Sequence, residues 1–278
     1  MFPFQHRPIR PVLRLQSIVS ALDVVRPKDH YFPGEMHDFW EMVFIADGEA
    51  CLTSDHRVYH LKKGNLVIHK PMAFHRIWSC NNTSPHLQIL AFGAEGEGME
   101  DVAERAFSLD VSAQEKVGQI TRLFQEVIRL SKTEGIPKAD YDYCSQKAAL
   151  LLESFLLELY ERELQTTTYP GPSGKLYEKI VRVLNDHCRE PLSMEEIAQL
   201  CDISVSNLKR VFHIYSDIGV MKYFTSVKLR YARRELLGNK TIAQVSEELG
   251  FSSPSYFHTV FKRELGMTPK EYIKSNKK

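Results

Sequence analysis

From residue 13 to residue 92, apolar and polar side chains alternate in short runs that are closed by turn-forming residues. The pattern predicts strands over 13–25, 40–46, 50–53, 58–61, 66–69, 74–79 and 87–92, because a period of two gives a strand one buried face. Asp47-Gly48 is a hairpin signal, and Ser54-Asp55-His56, Lys63-Gly64-Asn65 and Asn81-Asn82-Thr83-Ser84-Pro85 separate later runs. Regular spacing of short strands implies an antiparallel sandwich or barrel. After Glu95-Gly96-Glu97-Gly98, which reads as a mobile break, the period changes to that of a helix. Val117, Ile120, Leu123, Phe124, Val127 and Leu130 mark one helix. Ala148, Leu151, Leu152, Phe155, Leu156 and Leu159 mark a second over 143–164. The apolar stripe of that second helix is wide, so either it is buried on several sides or part of it pairs with a second subunit.

Residues 165–174 are polar and rich in Pro and Gly, as a linker should be. Beyond them, three capping boxes mark helices starting near 194, 242 and 269: Ser193-x-x-Glu196, Thr241-x-x-Gln244 and Thr268-x-x-Glu271. Gly250 separates the run Ile242, Val245, Leu249 from a helix that Ser253 caps and Pro254 opens. In that helix Phe257, Val260 and Phe261 share one face, leaving Ser255, His258, Thr259 and Arg263 elsewhere. The same design stands about 48 residues earlier. Ile197 and Cys201 match Val245 and Leu249, and Ser204, Leu208, Val211 and Phe212 match Ser253, Phe257, Val260 and Phe261, with one extra residue in the second turn. Helix, tight turn and helix with a polar outer face is the form of a DNA-reading helix-turn-helix. Two copies joined by a helix over 221–237 are hard to ascribe to ordinary core packing.

Residues from about 173 to 276 resemble the DNA-binding domain of the AraC family of bacterial transcription regulators. The stretch Glu248-Leu249-Gly250-Phe251-Ser252-Ser253-Pro254-Ser255-Tyr256-Phe257 carries the likeness, with Phe261-Lys262 and Gly266-Met267-Thr268-Pro269-Lys270-Glu271-Tyr272 after it. Arg230, Ala232 and Leu236-Leu237 fit the family's linking helix. One departure is Thr259, where many members carry a basic residue. Glu35-Met36-His37-Asp38-Phe39-Trp40-Glu41, followed by Gly48, Gly64, Pro71 and His75, resembles the cupin-like sensor domain of the same family. In the cupin motif of enzymes, such positions bind a metal, with Glu35 here replacing the first His of the pattern. In sensor members they serve strand geometry or a small ligand.

Charge sharpens the division. Residues 1–172 hold 18 Lys+Arg against 23 Asp+Glu, a net of −5, and residues 173–278 hold 18 against 12, a net of +6. Only the C-terminal half is built to meet phosphates. The five cysteines are scattered, with no C-x-x-C pair. That argues against a disulfide framework or a cysteine-rich zinc site and fits a reducing cytoplasm, and Cys201 reads as core. No apolar run approaches the roughly 20 residues that span a bilayer, and no signal peptide is visible.

The first recognition helix offers Ser206, Asn207, Lys209 and Arg210 on its outer face. Arg210 is the strongest base reader, since its planar fork fits guanine O6 and N7 together. The resemblance places Ser206 and Lys209 at base- or phosphate-contacting positions, while Asn207 could equally be a local cap. In the second unit Ser255, His258 and Thr259 make no bidentate pair, so that helix mainly positions, with Lys262 and Arg263 as phosphate contacts. Arg233 and Arg234 could as easily be salt-bridge partners. Two such helices suit successive major grooves roughly 10 base pairs apart.

The expectation is therefore an α+β chain in three parts. Residues 1–164 form an antiparallel cupin-like β-barrel with a helical dimerisation segment, 165–174 a linker, and 175–278 an all-α domain with two helix-turn-helix units. The resemblance implies a cytoplasmic, homodimeric regulator that binds double-stranded DNA and a small polar effector such as a sugar, with RNA polymerase as a further partner. His37, Trp40, Glu41, His75 and Trp78 are the effector-pocket candidates. No metal, other cofactor or catalytic residue is called for. The rival reading is a cupin metalloenzyme with a nucleic-acid-binding tail.

Overall fold

The computed structural model describes residues 7–54, 57–160, 171–216, 218–238 and 240–276. The chain divides into two units, Met1–Tyr169 and Pro170–Lys278. Strands in the first unit are β1 (Arg14–Val25), β2 (Trp40–Asp47), β3 (Glu49–Ser54), β4 (Arg57–Lys62), β5 (Asn65–His69), β6 (His75–Ser79), β7 (His86–Glu95) and β8 (Ala106–Ser108), and the helices are α1 (Gly98–Val102), α2 (Val111–Ser131) and α3 (Lys138–Tyr160). All pairing is antiparallel within two sheets, ordered β1-β7-β2-β5-β8 and β4-β3-β6.

Burial explains why β2 reads as a continuous apolar run. Met42 and Phe44 join Leu66, Ile68, Leu90 and Phe92 in a core with Ile120, Phe124, Leu152 and Phe155 of α2 and α3. Val43 and Ile45 point the other way, into a core shared with Leu52, Tyr59 and Leu61 of the small sheet. A strand covered on both faces needs apolar residues at every position.

Each of the seven anticipated strands is present with ends shifted by at most three residues. Strand β8 and helix α1 were not anticipated. Three residues are too few to show a period, and β8 exists because Asn65, Leu66 and Val67 pair with Ser108, Phe107 and Ala106. The break at 95–98 is ordered rather than mobile: the Gly98 amide donates to Val12 O at 2.9 Å. Gly96 has φ +111°, and a Cβ there would sit 2.3 Å from the same carbonyl, so only glycine fits. Helix α3 starts five residues before the expected 143, and residues 161–164 lie outside the described residues.

The second unit contains α4 (Pro172–Asp186), α5 (Met194–Leu200), α6 (Val205–Tyr215), α7 (Val220–Leu237), α8 (Ile242–Glu248), α9 (Pro254–Leu265) and α10 (Pro269–Asn276). Residues 172–174, read as the end of the linker, are the first turn of α4, with Pro172 where a missing N–H costs nothing. The rest of the linker call, 165–170, lies outside the described residues. All three capping boxes form: Ser193 with Glu196, Thr241 with Gln244, and Thr268 with Glu271. The matched core positions Ile197, Cys201, Leu208, Val211 and Phe212, and Val245, Leu249, Phe257, Val260 and Phe261, are all buried.

Each turn reverses through a left-handed residue, Asp202 (φ +56°) in the first unit and Gly250 (φ +63°) in the second. In the second, a Cβ on Gly250 would meet Pro191 N at 3.0 Å and Arg189 O at 3.1 Å, so glycine also lets that turn dock on the loop before α5. Each turn carbonyl is held by a lysine from the preceding long helix. Lys179 of α4 donates to Cys201 O at 2.9 Å, and Lys228 of α7 donates to Leu249 O and Glu190 O, both at 2.7 Å. Lys228 is 7% exposed and lies 4.7 Å from the Phe224 ring centroid. Burial lowers its pKa to about 8 against the opposing pull of Cys188 and Glu190.

Lys228→Met keeps the volume but leaves the Leu249 carbonyl at the end of α8 and the Glu190 carbonyl in the loop before α5 without their donor. Chemical denaturation should show a loss of about 1–3 kcal/mol, confined to the transition of the second unit.

Candidate DNA interface and sensor pocket

Helix α6 begins at Ser204, whose Oγ accepts the Asn207 amide at 3.2 Å. That cap frees the Asn207 side chain, and its Oδ1 accepts from Arg210 Nη2 at 2.8 Å. Asn207 thus braces the arginine and is not the cap. Ser206, Lys209 and Arg210 are exposed and Asn207 half-buried, while Leu208, Val211 and Phe212 anchor the opposite face. Phe212 lies edge-on to Tyr223 at 5.3 Å and beside Tyr177 at 5.4 Å, so α6 is seated on both α4 and α7. The first-turn outward face is therefore rigid, polar and basic, the geometry that reads base edges in a major groove.

Helix α9 is capped by Ser253 Oγ on the Tyr256 amide at 3.1 Å. Ser255, His258, Thr259, Lys262 and Arg263 are all exposed along it. Thr259 Oγ1 donates to Ser255 O at 3.1 Å, and Arg263 Nε donates to Glu264 Oε1 at 2.7 Å. On this face the Arg263 guanidinium is thus engaged through Nε by its own neighbour. Tyr256, 52% exposed in the first turn of α9, was not singled out, because it is an apolar residue at a non-core position. Arg233 lies 5.2 Å from the Tyr272 ring centroid, and Arg234 is 3.6 Å from Glu235. Both serve the unit's own packing.

In the first unit the sequence candidates separate. The pleat of β2 puts Glu41 on the inter-sheet side and Trp40 on the helix side, where Trp40 is 6% exposed and donates from Nε1 to Ala94 O at 3.1 Å. Along β6, His75 and Ile77 face inward, whereas Trp78 faces outward beside Cys51, with the Arg76 guanidinium 5.0 Å from its ring. Neither Trp40 nor Trp78 shares a pocket with His75 and Glu41, since neighbouring residues in a strand point to opposite faces.

His37, Glu41 and His75 do converge, joined by Glu35. Glu41 Oε1 lies 3.3 Å from His75 Nε2, Glu41 Oε2 lies 3.6 Å from His37 Nε2, and Glu35 Oε1 lies 3.8 Å from His75 Nε2. His37 Nδ1 is 3.0 Å from Phe39 O and His75 Nδ1 is 3.0 Å from Ala73 O. Carbonyls only accept, so both Nδ1 atoms carry protons and both Nε2 atoms face the carboxylates. Neither Nε2 has a hydrogen bond of good geometry. His69 was missed: it pairs across from Glu41, stacks on His75 at 4.4 Å and shares a 2.7 Å hydrogen bond with Ser54. Only strand register reveals it.

Burial opposes charge at this cluster, yet the ionised pair wins. Burial pushes Glu41 up, but the facing His37 and His75 imidazoles and the charge of His75 hold it far below the carboxylate range. Burial pulls His75 down, but Glu35 and Glu41 raise it to about 9. Burial and the neighbouring His75 charge hold His69 well below its ordinary value. Glu35, His37, Glu41 and His75 place potential ligand atoms within 4.8 Å of one another, a nitrogen and oxygen set that first-row divalent ions accept.

The AraC-like ligand binding domain family matches residues 19–160, and a helix-turn-helix domain family matches residues 197–275. The chain belongs to the AraC family: it is a DNA-binding transcription regulator with a ligand-binding domain. It is similar to the HTH-type transcriptional activator RhaR of Shigella dysenteriae serotype 1 (strain Sd197), 23% identical over 262 residues, covering 92% of each chain. It is 22% identical to RhaR of Escherichia coli (strain K12) at the same coverage. Among solved structures, ToxT from Vibrio cholerae O395 aligns over 95% of this chain and 98% of its own, with 13% identity and a TM-score of 0.38. An AraC-type DNA-binding regulator from Chromobacterium violaceum aligns over 37% of this chain and 93% of its own, with 29% identity and a TM-score of 0.36. Among the described residues no helix is long and apolar enough to cross a membrane.

The pocket should make stability pH-dependent with a defined sign. The His75 pKa is raised from 6.5 to about 9, so its contribution is complete below 6.5 and is lost as pH climbs through 9. His69 and Glu41 are depressed, so their contributions fade as pH falls below 6.5 and then below 4.5. Thermal melts of the full chain across this range should show the first unit most stable near pH 6.5, with His75→Asn removing the alkaline decline.

Proposed function

We propose that this regulator is a homodimeric activator that reads DNA chiefly through α6 and responds to a small polar compound, a sugar by chemistry, at the mouth between its sheets. The observation that carries the DNA assignment is the outward face of Ser206, Lys209 and Arg210 on a helix locked by its own cap and aromatic seat. Arg210, pre-oriented by Asn207, is the base reader, and α9 contributes Ser255, His258, Thr259, Lys262 and Arg263 mainly as backbone contacts. An effector with several hydroxyls suits a mouth where the Glu41 carboxylate accepts and the His75 imidazolium donates. The activator reading draws on the RhaR relatives, which are named as transcriptional activators.

Dimerisation is supported by α3. Tyr143, Leu150 and Leu157 recur every seven residues and are 73%, 55% and 45% exposed, with Tyr160 (64% exposed) at the end. That stripe lies apart from the buried face formed by Ala148, Leu152, Phe155 and Leu159. A heptad of large apolar residues left in water is the seam of a paired helix. Effector binding then alters how the two DNA-binding units of a dimer are presented, a coupling between distinct sites.

Selection of sites from randomised duplex DNA at physiological salt should recover two blocks roughly one helical turn apart. Arg210→Ala should blur one block at a cost of about 1–3 kcal/mol. Recovery of no motif, with or without sugars, would remove the specific-reader assignment. Leu150→Glu with Leu157→Glu should turn a dimer into a folded monomer in sedimentation experiments.

A further inference from the structure

The small sheet has a second face that the sensor reading does not use. Ala50, Leu52, Tyr59 and Leu61 point into the inter-sheet core, so Cys51 and its cross-strand partner His60 point outward. Trp78 lies opposite Cys51 on β6, and Cys80, two residues on, comes to the same side. Both sulfurs and one ring nitrogen of His60 lie within 4.8 Å of each other. Three residues separated in sequence, on two strands and the turn after a third, thus converge on one half-buried spot. Asn81 and Asn82 adopt left-handed conformations (φ +51° and +56°) that turn the chain immediately after Cys80.

We propose that Cys51, His60 and Cys80 form a three-ligand site for a thiophilic divalent cation, zinc, on the outer face of the small sheet. Two sulfurs and an imidazole are the donors that zinc selects over calcium or magnesium. The surroundings are those of a metal-ligating histidine. His60 Nε2 is held by Glu49 Oε2 at 2.6 Å, and Asn81 Nδ2 donates to the same carboxylate at 2.7 Å. A carboxylate bonded to an imidazole orients the ring, as it does for ligating histidines in zinc proteins. Lys62, 3.9 Å from Glu49, is the neighbouring positive group, and it answers Glu49 without lying among the three donors.

In the metal-free chain burial raises both thiol pKa values. Binding therefore releases two protons to solvent as two thiolates form, and affinity grows with pH. Three protein ligands leave the fourth tetrahedral position to water or an outside group, so the site is open. It uses none of the residues at the inter-sheet mouth and does not depend on the effector reading.

The experiment is titration of the reduced full-length chain with cobalt(II), followed by displacement with zinc, and metal analysis of the desalted product. The expected result is one equivalent of cobalt showing ultraviolet thiolate charge-transfer absorption and the red bands of a four-coordinate ion. Both should be abolished in Cys51→Ser and in Cys80→Ser and retained in Cys144→Ser and His75→Asn. Glu49→Gln should keep the spectrum but weaken binding about 10- to 100-fold. Unchanged DNA binding and circular dichroism of the serine variants would show that they fold. Absence of thiolate absorption, or its survival in Cys80→Ser, would overturn the site. So would a reduced chain that takes up no metal while mild oxidation joins Cys51 to Cys80, which would make the pair a redox couple instead.

Discussion

The DNA-binding unit depends on a buried ammonium group. A helix-turn-helix ends its first helix abruptly, which strands carbonyl groups at the turn, and here a lysine supplies the missing donor in each copy. Lys228 binds Leu249 O, and Lys179 binds Cys201 O at the equivalent place in the earlier copy. The repeat is therefore three helices long, α4-α5-α6 and α7-α8-α9, with the long helix of each triad bracing the turn that follows. Lys228 also binds Glu190 O, just before α5, so one side chain couples the two copies. The contact of the Gly250 turn with residues 189–191 completes that coupling. Spacing between two reading helices has meaning on DNA only if the helices cannot shift independently.

Within that frame the exposed faces of α6 and α9 carry different chemistry. Helix α6 presents a guanidinium held by Asn207, and a side chain already held loses less freedom on making a further contact. Helix α9 turns its threonine hydroxyl back on its own backbone and pairs Arg263 with Glu264. The net charge of +6 on residues 173–278 is moderate. Such a surface gains less from phosphates alone than a strongly basic one.

The sensor unit meets a different constraint. Its large sheet is covered on both faces, so the charged Glu41 at one end of β2 is tolerable only with histidines around it. Glu41 and His75 hold each other ionised, while His69, equally buried, stays neutral against Ser54. A cluster built this way carries imperfectly satisfied polar atoms, His75 Nε2 and His37 Nε2 among them. A polar ligand that completes those bonds gains more than the same ligand would on an exposed surface.

The sequence by itself determined the order of seven of the eight strands, the three capping boxes, the tandem helix-turn-helix and the charge division. All of these rest on local rules: the period of apolar residues, a cap three residues from its partner, a glycine where the backbone turns left-handed. The exposed polar faces of α6 and α9 were legible for the same reason, since a helix face follows from spacing alone. Only the tertiary structure decided which pocket candidates meet. It placed Trp40 and Trp78 on faces away from Glu41 and His75, and it added His69 and Ser54. It likewise turned scattered cysteines into neighbours and made Lys228 an interior anchor. Those outcomes depend on strand register and on contacts between residues far apart in the chain, and a one-residue change in register moves every side chain to the other face.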